Sequence, residues 1–177
     1  MTSVLGLVLV NVPPLPDTGS ISTTTSSTTS TPCVATLGGL VSADVLCANV
    51  TTVAFPGKST ASASVADATV DVPGIPVVTL RAVKSISTTT CGGSTGTTLI
   101  DFLSVGNTVV ISAPTNVAPN TTVNLGVVKL VLNEQIPFST PDKGLTVNAV
   151  HLTVNAVGLA KVDVIVASSK SDIGNCP

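Results

Sequence analysis

The chain has one histidine, His151, the side chain best suited by type to proton transfer or metal ligation near neutral pH. Asp67 and Asp71 in "DATVD", and Lys161 and Asp163 in "KVD", are the other candidates. Even spacing puts each pair on one face of a strand, where two carboxylates could hold Ca²⁺ or divide acid and base roles. Serines are abundant, yet no GxSxG elbow singles one out as a nucleophile. "CGGSTGTT" at 91–98 has the glycines of a phosphate loop but lacks the Lys and the helix that complete one. A plainer reading is the expectation for each. His151 serves packing or hydrogen bonding, the acids face solvent at strand edges, and there is no catalytic residue, cofactor or metal. "NEQ" at 133–135 reads as a turn after an apolar strand. Asn49-Val50-Thr51 and Asn120-Thr121-Thr122 match the glycosylation acceptor pattern, at a frequency that chance explains here. An intramolecular Lys–Asn cross-link is conceivable in a surface β-domain, but no motif marks one.

Four cysteines, Cys33, Cys47, Cys91 and Cys176, complete the chemically distinctive residues. None forms a CxxC pair, and a zinc site lacks its ligand spacing. An even count in a chain poor in charge predicts two disulfides and an oxidising compartment. Of the three pairings, Cys33–Cys47, closing a short loop, and Cys91–Cys176, tying down the C-terminal region, are favoured.

Composition excludes several partners. Charged residues make up 9% and aromatics 2% of the 177 residues, with a formal net charge of −2. Without a basic patch or stacking platforms, nucleic acid is not a partner. The apolar run at the N-terminus is too short to span a membrane and lacks the basic flank of a signal peptide. It reads as a first strand carrying Val4, Leu5, Leu7, Val8, Leu9, Val10 and Val12, and the chain as having no membrane span of its own.

The elements that position these residues are strands. Helix periodicity is nearly absent, and only "LGGLVSADVLC" at 37–47 suggests a short helical turn, which Ser42 or Asp44 could cap. Strands are expected over 4–12, 45–55, 60–72, 77–90, 97–105, 107–112, 121–132, 145–157 and 161–168, separated by Pro, Gly and Asn. Gly106-Asn107 marks a hairpin, "VGLAKV" at 157–162 another reversal, and "PFSTPDKG" at 137–144 an exposed loop. The expected fold is an all-β, antiparallel, Greek-key-like sandwich of about eight to nine strands with at most one short helix. It forms a single domain over 1–177. Residues 1–15 hold the N-terminal strand, available for exchange with a neighbour, and 20–32 a Thr/Ser-rich connecting segment.

"LTVNAVHLTVNAVG" at 145–158 writes a seven-residue unit twice. Because strand side chains alternate with period two, a shift of seven swaps faces. The unit is therefore one strand whose buried side switches near Asn148–His151, by a bulge or a bend between sheets.

"SASVADATVDVPGIPVVTLRAVKSISTTTC", "NTTVNLGVVKLVLNEQ", "GLTVNAVHLTV" and "DVIVASSKSDIGNC", in that order, resemble the choice-of-anchor P family of bacterial secreted and cell-surface proteins. The resemblance runs from about Ser62 to Cys176. It implies an extracellular or cell-surface setting and no catalytic residues. Family members carry a signal peptide and varied C-terminal anchors. The absence of both here fits a trimmed or mature domain.

Together these features lead to the expectation of an extracellular or cell-surface structural protein without enzyme activity. Its partner would be itself, in a filament or surface layer built by strand complementation, or other cell-envelope components. The alternative is an adhesin or binding module for polysaccharide or matrix protein. A flat ice-binding Thr array is a smaller possibility, because the Thr tracts lack a regular spacing in sequence.

Overall fold

A computed structural model describes residues 18, 21, 24–37, 41–139, 143–154 and 162–174. These residues form twelve strands and no helix: β1 (Ser27–Ser30), β2 (Val34–Leu37), β3 (Val41–Val53), β4 (Lys58–Val70), β5 (Val78–Thr90), β6 (Gly93–Val105), β7 (Thr108–Ile111), β8 (Thr115–Asn116), β9 (Thr121–Leu125), β10 (Val128–Phe138), β11 (Lys143–Val154) and β12 (Val162–Ile173). They make two antiparallel sheets of eight and four strands, packed as a β-sandwich.

Strands outnumber the expectation because edge positions are shared. β1 and β2 lie end to end along β3, and β7 and β8 both pair with β6. The expected strand over 121–132 is also a hairpin, broken at Gly126, whose φ of 63° suits a residue without Cβ. Consecutive long strands are nearest neighbours, β3 to β6 in the large sheet and β9 to β12 in the small one. The path is thus two meanders rather than the Greek-key order expected, since short turns hold each hairpin together locally. The helical turn anticipated within 37–47 is not formed either: Val41 to Cys47 belong to β3. Residues 38–40 lie outside the described residues. Pairing of β3 with both β2 and β4 satisfies its backbone and overrides a weak helical preference.

One feature runs through every long strand. In β11 the buried hydrophobic residues are Leu145, Val147 and Ala149 before the middle and Val150, Leu152 and Val154 after it. The switch of faces expected from the doubled heptad falls at Ala149–Val150. Its neighbours switch in the same row, β10 at Leu132–Asn133 and β12 at Val166–Ala167, where both residues of each doublet are buried. In the large sheet the doublets turn outward, at Asp44–Val45, Ala66–Asp67, Arg81–Ala82 and Asp101–Phe102. No residue is inserted, and partners on either side of the row keep one register. Left-handed backbone at Val45, Ala82, Asn133 and Ala167, with φ of 46° to 53°, resets the alternation in every second strand. The small sheet's inward doublets fill the line along which the large sheet turns its own away.

The row divides the interior. On one side Leu80, Leu103, Val78, Val105, Leu130, Leu132, Leu152 and Val164 form a continuous apolar cluster. Full burial of each such side chain contributes roughly 1.5–3 kcal/mol. On the other side β5 turns Val83 inward next to the row and then Ser85, Ser87 and Thr89, the three hydroxyls facing Ser169 and Ser171 of β12, all buried. Thr89 Oγ1 meets Ser171 Oγ at 2.9 Å. The hydroxyls of Ser85, Ser87 and Ser169 have no hydrogen-bond partner among the described residues. Backbones approach closely here: a Cβ on Gly96 would lie 2.6 Å from Val147 Cγ2, and one on Gly144 would lie 2.5 Å from the Ser171 carbonyl oxygen.

Candidate functional site

The outer face of the small sheet gathers the strongest cluster of polar side chains. Past the row of doublets, Glu134 of β10 and Asn148 of β11 point away from the core. Before it, so do His151 of β11 and Asp163 of β12. Register makes Glu134 and Asn148 direct partners, and likewise Asn148 and Ser168. His151 Nδ1 lies 2.9 Å from Glu134 Oε2, and its Nε2 lies 2.8 Å from Asp163 Oδ1. Asn148 Nδ2 donates to the same Glu134 Oε2 at 2.7 Å, and Ser168 Oγ donates to Asn148 Oδ1 at 2.7 Å. One chain of contacts thus runs Asp163–His151–Glu134–Asn148–Ser168 across three strands.

This geometry favours the charged imidazole. Carboxylates, where ionised, only accept, so a proton on each ring nitrogen, an imidazolium between two anions, satisfies both contacts of His151. Burial works against that charge, but the hydrogen bonds to Glu134 and Asp163 and their negative charges outweigh it, and the pKa is raised above the ordinary histidine value. A ring with both nitrogens engaged has no lone pair for a general base or a metal. Among the described residues no group of three His, Cys, Asp or Glu side chains is placed to hold a metal ion.

The other candidates are not brought together. Asp67 sits in the outward doublet of β4 and pairs with Arg81 Nε at 3.7 Å, both well exposed, while Asp71 follows the end of β4. Lys161 lies outside the described residues, so its pairing with Asp163 is not seen. "NEQ" is the middle of β10 rather than a turn, because Asn133 adopts left-handed backbone and the strand continues beyond it. Its polar groups join the sheets. Thr98 Oγ1 donates to Asn133 Oδ1, Asn133 Nδ2 to the Val117 carbonyl, and Gln135 Nε2 to the Gly96 carbonyl. Asn120 is equally occupied, its Oδ1 accepting from the Gln135 amide.

Cys33 and Cys47 form a disulfide that pins the junction of β1 and β2 to β3. Cys91 is also disulfide-bonded. Cys176, its expected partner, lies outside the described residues, as does the N-terminal strand of Val4, Leu5, Leu7, Val8, Leu9, Val10 and Val12. A disulfide accords with an oxidising compartment, and no helix among the described residues is long and apolar enough to cross a membrane.

On the outer face of the large sheet, register lines up Thr28, Thr51, Thr60, Thr88 and Thr95, one from each of β1, β3, β4, β5 and β6. Thr60 and Thr88 touch through their hydroxyls at 3.2 Å. Three phenylalanines complete the surface. Phe102 and Phe138 lie beneath the cations of Arg81 and Lys170, whereas Phe55, at the β3–β4 hairpin tip, is 93% exposed.

No family model, curated protein or solved structure matches this chain.

Proposed function

We propose that this chain is an extracellular or cell-surface structural protein, without catalytic activity, that assembles with copies of itself by strand complementation. The apolar segment 4–12 of one copy would add to the small sheet of the next. The observation that carries this reading is the contrast between sheet edges. Both edges of the large sheet are covered by short broken strands, the usual protection against further pairing. β12 is instead a continuous edge strand of 12 residues containing no Pro or Gly. Among the described residues, only β11 pairs with it. β12 lies over β4 and β5, and the inward residues Ala48 and Val50 of β3, beyond them, stay half-buried. A strand beside β12 would cover that strip. The disulfide, the low charge and the resemblance to choice-of-anchor P proteins support a surface setting. Electron microscopy and sedimentation of the full chain over a range of concentrations test the reading, with Val8→Pro as the variant that blocks strand addition. Concentration-dependent fibres or sheets, lost in Val8→Pro, are expected. Monodisperse monomers at high concentration, with amides 4–12 protected within their own sheet, would sink the proposal.

Phe55 favours the second reading, an adhesin or binding module, because it is the aromatic left uncovered at a loop tip. A glycan and matrix-protein array with Phe55→Ala as control decides it: no hits, or hits unchanged in the variant, count against that role.

A further inference from the structure

We propose that Ser168 and Asn148 form an intramolecular ester that joins β12 covalently to β11 with loss of ammonia. The two residues are direct cross-strand partners, so ordinary sheet pairing brings a hydroxyl and a carboxamide together. Ser168 Oγ lies 2.7 Å from Asn148 Oδ1, one bond from the amide carbon, which gives the proximity that makes a sluggish intramolecular reaction feasible. Asn148 is 3% exposed, so water competes poorly for that carbon. The leaving nitrogen is already engaged, with Asn148 Nδ2 2.7 Å from Glu134 Oε2, and the same oxygen faces His151 Nδ1 at 2.9 Å.

The step balances within the chain. As the Ser168 Oγ–Asn148 Cγ bond forms, the hydroxyl proton passes along its existing hydrogen bond to Oδ1 and leaves a neutral tetrahedral centre. The Nδ1 proton of His151 moves through Glu134 Oε2 to Nδ2, the Cγ–Nδ2 bond breaks, and ammonia departs. The proton on Oδ1 is released to solvent as the carbonyl re-forms, and one proton from solvent restores the imidazolium. Amide and alcohol become ester and ammonia, with no oxidant or co-reactant. Glu134 is the catalytic residue, since it touches the leaving nitrogen. His151 and Asp163 are positioning residues that supply and hold the proton. A plain hydrogen-bond network explains each contact separately. Glu134 Oε2 faces both Asn148 Nδ2 and His151 Nδ1, and the amide nitrogen gains a lone pair only once the tetrahedral centre forms, when the same contact can carry the proton back to it.

Intact mass spectrometry of the full chain, its disulfides accounted for, tests the proposal. The expected mass is lighter than the sequence by one ammonia. A digest should yield a branched peptide linking 148 to 168, and hydroxylamine, which cleaves esters and spares amides, should separate it. Ser168→Ala and Glu134→Gln should each restore the full mass. His151→Gln should form the link more slowly and change its pH profile, whereas the wild-type rate at every pH would overturn the proton route. Wild-type chain at full mass with a free Ser168 peptide overturns the proposal. Ammonia loss that persists in Ser168→Ala overturns it too, because backbone attack at Asn148 to give a succinimide would then be the source. Ser168 is exposed, so its alanine variant keeps the test decisive even if Glu134→Gln fails to fold.

Discussion

Replacing Ala82 and Ala66 by glycine, one at a time, isolates the cost of the row at which every long strand changes faces. The two alanines sit opposite each other in adjacent strands, between the pairs Val65–Val83 and Asp67–Arg81. Ala82 has φ 46° and Ala66 is not among the residues with positive φ. Left-handed backbone costs a residue bearing a Cβ roughly 1–2 kcal/mol. Glycine in an extended strand costs about 0.5–1 kcal/mol relative to alanine, mostly by freeing the unfolded chain. Ala66→Gly should therefore destabilise by about 0.5–1 kcal/mol. Ala82→Gly bears the same unfolded-state cost but sheds the left-handed penalty, so it should be neutral or stabilising by up to about 1.5 kcal/mol. The difference between the variants removes the shared term and leaves roughly 1–2 kcal/mol. Urea unfolding reads it directly: with m of about 1–3 kcal/mol/M, the midpoints should separate by roughly 0.3–2 M. Equal losses in the two variants would refute the argument that alternate strands make the switch with left-handed residues.

Other outcomes follow from neighbouring features. Ser87→Ala removes a buried unpartnered hydroxyl and should stabilise by about 1 kcal/mol, whereas Thr89→Val strips Ser171 of its partner and should cost about 1–3 kcal/mol; chemical denaturation of both checks the sign reversal. Gly144→Ala places a methyl against Phe138 and the Ser171 carbonyl, so its melting curve should show a loss of about 1–3 kcal/mol from overpacking. Because the pKa of His151 is raised in the fold, the stability its clamp contributes is complete below the ordinary value of about 6.5. That contribution is lost as pH rises through the raised value, so unfolding midpoints at a series of pH values should fall on the alkaline side, and His151→Gln should flatten the fall. Cys33→Ser with Cys47→Ser opens a loop of sequence separation 14 and should cost about 3 kcal/mol on the chain-entropy model, with faster amide exchange confined first to β1 and β2.

Strand identity, the sandwich and the change of faces in β11 were legible because they follow from local alternation. An odd repeat in "LTVNAVHLTVNAVG" cannot keep one face buried, whatever it packs against. The matching switches in β3, β5, β10 and β12 were not legible, because Val45, Ala82 and Ala167 are residue types that argue against left-handed backbone; neighbours that must bend together impose it. The polar cluster was half visible. The sequence singles out His151 and Asp163, but it places Glu134 in a turn, since "NEQ" resembles one and only the continuation of β10 brings its carboxylate beside the imidazole. Thr28, Thr51, Thr60, Thr88 and Thr95 are irregularly spaced along the chain. They form a rank only through the pairing of five strands, and no one-dimensional reading recovers that.

The divided interior has a thermal consequence. Exposing apolar surface on unfolding raises heat capacity by about 0.45 cal/K/mol/Å², while exposing polar surface lowers it by about 0.26. The end lined by Leu80, Leu103 and Leu152 contributes the positive term. The end lined by Ser85, Ser87, Thr89, Ser169 and Ser171 offsets part of it. The heat-capacity change per residue should therefore be smaller than in a sandwich filled with aliphatic side chains. Its curve of stability against temperature should be correspondingly shallow, so that cooling weakens this fold less than it weakens proteins of the same size held together by hydrocarbon alone.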